Sequence, residues 1–189
     1  MKILFTVLLS FVSCFVYGQH GEQDMFGEKT YPIPGFLWSK DYFLSDSFCA
    51  AKGLKPLKPY PIQCTWVKMN KDDTATKIER VVDVVQLLLK DRKAHAFLKK
   101  NYGRLSEGGD VEAVKMDVPD VSDLMVFHDG DLHRKMDSMF KLHTHAYIVL
   151  FRINSFVVKV FVYSQSELTQ ADVQPFAAEA ARRIHAAIK

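Results

Sequence analysis

The sequence predicts an α+β domain, an antiparallel β-sheet flanked by helices and built as two β-β-α halves. Three observations carry this. Residues 146 to 164, AYIVLFRINSFVVKVFVYS, are rich in Val, Ile, Phe and Tyr and break only at Asn154-Ser155. Apolar residues at helical spacing follow directly, from Val173 to Ile188. An earlier stretch, 62 to 102, runs in the same order of strand, turn, long strand and helix.

The hairpin can be registered on paper. β-branched and aromatic residues favour strands, and Asn tolerates the positive φ of a tight two-residue loop. With Asn154 and Ser155 as the loop, Ile153 faces Phe156, Phe151 faces Val158, Val149 faces Val160 and Tyr147 faces Val162. Side chains alternate along a strand, so these eight share one dry face. The opposite face carries Arg152, Lys159, Leu150, Ile148 and Phe161 and is expected to be half wet. In the last helix Val173, Phe176, Ala177, Ala180, Ala181 and Ile184 form the buried stripe. Asp172 is the expected N-cap, because it leaves Pro175 in the first turn where a missing N–H does no harm.

Taken in order, residues 1 to 18 have the form of a signal peptide: Lys2, a short apolar run, then Val16-Tyr17-Gly18 before a cut at Gln19. Anchoring as a lipoprotein at Cys14 is the alternative, since Phe11-Val12-Ser13-Cys14 resembles a lipoprotein cleavage box with Phe11 departing from it. The formal charge of +3 falls to +2 once Lys2 is removed, too little and too evenly spread to point to nucleic acid. No transmembrane helix is expected in the mature chain, so the address is secreted or periplasmic.

Residues 19 to 60 form a flexible terminus and then an irregular arm. Pro32, Pro34, Pro56 and Pro59 alternate there with Tyr31, Phe36, Trp38, Tyr42, Phe43, Phe48 and Tyr60. A short helix from Asp46 to Lys52, closed by Gly53, would hold Cys49. In an exported chain Cys49 and Cys64 suggest a disulfide pinning the arm to the next strand, with two buried free thiols as the competing arrangement.

The α+β domain spans 61 to 189. Residues 62 to 69 read as a strand. Residues 77 to 89 fit a helical stripe, yet their Val and Ile content favours a strand, which is the preferred assignment. Residues 90 to 102 form a helix, 111 to 116 a short strand and 124 to 128 another. A strand pair, a helix, the Val118-Pro119 loop running to Asp123, then a strand pair and an Ala-rich helix together resemble small secreted bacterial domains of the PsbP-like type. The resemblance covers about residues 61 to 189. It implies an antiparallel sheet with helices and a non-enzymatic accessory role, and it carries over no functional residue.

The richest chemistry lies in 127 to 147, FHDGDLHRKMDSMFKLHTHAY. It holds His128, His133, His143 and His145 with Asp129, Asp131 and Asp137. His143 and His145 are two apart at a strand entrance, so their rings would point the same way, and His128 or His133 would complete a zinc-type site. The other choice is a polar loop lining a wet face. Asp129-Gly130-Asp131 is not a calcium loop, because Arg134 stands where Gly is needed and Phe140 where Glu is needed. The chain contains no nucleophile elbow, zinc-protease helix, phosphate loop or dinucleotide fingerprint. The expected function is therefore a non-catalytic binding or accessory module of the cell envelope, with a protein or small molecule as ligand and no cofactor. Metal binding through residues 128 to 145 is the alternative.

Overall fold

The structure, a computed structural model, describes residues 39–60, 62–70, 74, 76–88, 90–103, 111–130 and 145–189. The signal segment with Cys14, the arm before Ser39, and His133, His143, Asp131 and Asp137 lie outside them.

The described strands are β1 (Leu54–Pro56), β2 (Gln63–Lys68), β3 (Ile78–Leu87), β4 (Glu112–Ala113), β5 (Ser122–Asp129), β6 (His145–Ile153) and β7 (Phe156–Ser164). They make one antiparallel sheet in the order β1-β2-β3-β7-β6-β5-β4. The β6–β7 hairpin turns at Asn154, at φ 50°, and its pairs run from Ile153 opposite Phe156 to His145 opposite Ser164. This is the register the apolar pattern predicts. β7 lies between β6 and β3, and all nine of its residues are buried. β3 is a strand and not a helix for the same reason. Val81, Val82, Val84 and Val85 are at most 1% exposed, because this strand lies inside the sheet and is covered on both faces.

Three α-helices are described: α1 (Asp46–Ala50), α2 (Asp91–Tyr102) and α3 (Gln170–Ala187). α3 and α1 lie on the sheet face that carries Tyr147, Val160, Asp83 and Cys64. The rings of Phe48 on α1 and Phe176 on α3 meet edge to face at 5.4 Å. Arg183 on α3 donates to the carbonyls of Phe43 (3.0 Å) and Lys40 (3.2 Å), tying the 3-10 turn Lys40–Tyr42 to the helix. The arm joins the sheet over its last part. Gly53, at φ 77°, reverses the chain after α1 so that β1 pairs along β2.

Two expectations are corrected. α3 starts from Thr169, not Asp172, which places Pro175 inside the helix. The Asp172 carboxylate accepts from the Thr169 N–H and from its hydroxyl, both at 2.8 Å. That capping interaction offsets the backbone hydrogen bond lost at Pro175. The face expected to be half wet is dry: Leu150, Lys159 and Phe161 are fully buried. α2 lies over it and sets Phe97 and Tyr102 against the Lys159 ammonium, with ring centres 5.5 and 5.3 Å away. Attraction between a cation and aromatic faces helps a lysine to stay in such a place.

Candidate functional site

β5 and β6 pair with His128 opposite Tyr147 and Asp129 opposite Ala146, so His145 stands diagonally beside His128 on one face. The two imidazoles are parallel within 3°, with ring centres 6.0 Å apart. Tyr147 also stacks on His128, with ring centres 4.7 Å apart. His128 Nε2 and His145 Nδ1 are buried and have no hydrogen-bond partner among the described residues. A buried polar atom left so costs about 1–3 kcal/mol, unless something outside the chain occupies it.

Both ring edges border one small space. A Cβ on Gly130 would sit 3.7 Å from His128 Cε1 and 3.9 Å from His145 Nδ1. Glu112 on β4 is the cross-strand partner of His128, which puts its carboxylate on the same face. Burial, then Glu112 and more distant carboxylates, raise the Tyr147 phenol above its ordinary value. The sequence pairs His145 with His143; the structure sets it beside His128, while His143 and His133 lie outside the described residues. Among the described residues no three His, Cys, Asp or Glu are placed to hold a metal ion together. The pair supplies two donors.

A second cluster was not expected from sequence. At the bulge in β5, Asp123 sits at φ 54°, a strained conformation for a residue with a side chain. Its Oδ2 accepts from Arg152 Nε at 2.6 Å and contacts His95 Nδ1 at 2.9 Å. Arg152 also binds the Asp91 carboxylate and donates to the Asn154 carbonyl. Burial would raise the Asp123 carboxyl, but hydrogen bonds from Arg152 and His95 outweigh it and hold it below the ordinary range. A cleft of about 220 Å³ opens beside His95, Lys99, Leu124 and Met125. It offers a carboxylate-held imidazole but, among its described lining residues, no Ser, Thr or Cys nucleophile.

The cluster instead acts as a lock between α2, β5 and the hairpin turn. Asp123→Asn keeps a residue that tolerates positive φ while removing the charge. It is expected to cost about 1–2 kcal/mol at neutral pH. Because the folded carboxyl lies low, this contribution is fully present above the ordinary Asp value and is lost as pH falls from there through the lower folded value. Urea unfolding of both proteins should therefore converge in acid.

The third cluster is the inner one. Asp83 on β3 is cross-strand to Cys64 and fully buried. Its Oδ2 accepts the Leu44 N–H at 2.8 Å, and its Oδ1 has no partner among the described residues. Burial pushes its carboxyl up to about 7, against the opposing effects of the Leu44 hydrogen bond and Arg183. Cys49 and Cys64 are both buried, with their sulfurs as thiols in this structure. Burial, then Asp83 and Asp46, raise both thiols, Cys64 to about 12. Cys49 responds also to the charge of Cys64, so the two sulfurs share one region of the core. Thiols held this high make poor nucleophiles. The sequence signal for Asp83 was its place in the centre of an apolar run, Val81-Val82-Asp83-Val84-Val85.

No family model matches the chain, and no curated protein matches it in sequence.

Proposed function

We propose that the chain is an exported binding module of the cell envelope that takes a ligand on the His128–His145 face without transforming it. The observation that carries this is the pair of parallel imidazoles with buried, unpartnered nitrogens. A structural histidine pair would be expected to hydrogen-bond inward, whereas this one leaves its bonding capacity open at the end of the sheet. The signal-like residues 1 to 18 supply the address, and the PsbP-like texture of 61 to 189 supports an accessory role. Among the described residues no helix is long and apolar enough to cross a membrane.

Export also bears on the cysteines. We propose that in an oxidising compartment Cys49 and Cys64 pair during folding, before the core closes over them, by exchange with a disulfide-bonded oxidant, which leaves as a dithiol. Their shared surroundings beside Asp83 support this.

Native mass spectrometry of the protein exported by its own host tests both statements. The expected result is a chain lighter by two hydrogens per disulfide, with a bound species that denaturation releases. His128→Ala combined with His145→Ala should lose that species while the chain stays folded. Turnover of an ester, glycan or phosphate substrate, abolished by one substitution that leaves the fold intact, overturns the binding assignment.

A further inference from the structure

We infer that the ligand of the His128–His145 face is a divalent ion of the zinc, nickel and copper group, held by His128 Nε2 and His145 Nδ1 in an open site. This rests on the proposal above that the face is a binding surface, and it names the chemical class of what binds.

Donor type comes first. Neutral imidazole nitrogen is a ligand for borderline transition ions and a poor one for magnesium or calcium, which take oxygen. Each ring offers an unpartnered nitrogen, and both are shielded from water. Spacing comes second. With metal–nitrogen bonds of about 2.0–2.1 Å, two imidazoles on one ion have their centres roughly 5–6 Å apart. The observed 6.0 Å meets this without moving either strand. The rings are parallel, so one must turn about its own side-chain bond for both lone pairs to meet on one ion. Gly130 brings no side chain of its own to that space, where a Cβ would touch both rings. Tyr147 stacked on His128 holds that ring, and the β5–β6 register fixes both backbones, so the turn is left to the His145 ring. Pre-placed donors lower the entropy lost on binding.

The coordination that results is incomplete. Two protein donors leave positions for water or an external donor, and Glu112 adds a carboxylate to the same face. Such a site binds ions exchangeably and can take up a second ligand through the ion.

Equilibrium dialysis of the chelator-washed, full exported chain against Zn²⁺ and Co²⁺ tests the inference. One ion per chain is expected, with affinity reduced about tenfold or more by His128→Ala and by His145→Ala. His185→Ala, in the last turn of α3 beside the Asp120 carbonyl, should leave it unchanged. A fold-neutral check is Gly130→Ala. The added methyl would make ordinary contacts at 3.7 and 3.9 Å, so folding should survive while the ring turn is hindered and affinity drops. Stoichiometric binding that neither histidine substitution changes overturns the inference. If no ion binds, but the host-purified chain carries an organic species lost in His145→Ala, the metal inference falls and the binding assignment stands. If neither ion nor adduct is found, both fall.

Discussion

Asp83→Asn is expected to stabilise the folded chain by about 2 kcal/mol at pH ~8, and by little at pH ~4. The carboxyl is fully buried with one oxygen unpartnered, and burial lifts it from the ordinary 3.8 to about 7. Folding therefore favours the protonated form. The contribution of Asp83 is fully present below the ordinary value, falls as pH rises through the folded value, and is level above it. Three units of difference set an upper limit of roughly 4 kcal/mol, and relaxation of the folded state brings the expected effect to about half of that. Asn removes the charge and keeps an oxygen to accept the Leu44 N–H. Its amide N–H group would then lie at the position where Oδ1 now has no partner among the described residues. Urea unfolding of both proteins across this pH range, with the thiols kept reduced, measures the effect. Parallel curves for the two proteins would mean that Asp83 reaches water or a cation.

Much of this fold is legible in the sequence, and what is not has a physical cause. The β6–β7 register follows from alternation and one Asn, because a slip by one residue would turn Lys159 and Arg152 toward α3. β3 is legible as a strand from its Val and Ile content. Its place beside β7 is not, since strand order depends on contacts distant in sequence. The dryness of the α2 face was hidden because Lys159 reads as a surface residue until Phe97 and Tyr102 are seen against it. The start of α3 was misplaced because Pro175 weighs against a long first segment, whereas the Thr169–Asp172 pair weighs for it. The candidate site was half legible. Its residue types stood out, but the partner of His145 is set by the β5–β6 register across the segment between them. Alternation within one strand pointed to His143 instead. Asp123 carries no local signal, because its role comes from Arg152 and His95, both 28 or more residues away.

Phe176→Ala is expected to be the most damaging single truncation, costing about 3–5 kcal/mol. Phe176 is fully buried on α3 and meets Phe48 of α1 edge to face. It thus joins the long helix to the short helix that carries Cys49. A gain of a few tenths of a kcal/mol in helix propensity does not offset the cavity. Five residues cannot hold α1 in place by themselves, so the helix depends on this contact, on the Ser45 cap and on the Trp66 indole N–H that donates to Asp46 Oδ1 at 2.9 Å. In the reduced variant, α1 should undock and Cys49 should become open to alkylation under conditions that protect it in the parent. With Cys49–Cys64 closed, α1 stays tethered through a loop of 15 residues, a constraint worth about 3 kcal/mol in the chain-entropy model. The oxidised variant should therefore recover much of the lost midpoint on urea unfolding. A double-mutant cycle with Phe48→Ala should show about 0.5–1.5 kcal/mol of coupling for the ring pair. Additive losses with no coupling would mean that α1 is held by its backbone, its cap and the Trp66 contact. The arm would then be held to α3 by the Arg183 hydrogen bonds to Phe43 and Lys40, and to the sheet by the β1–β2 pairing, without help from the ring pair.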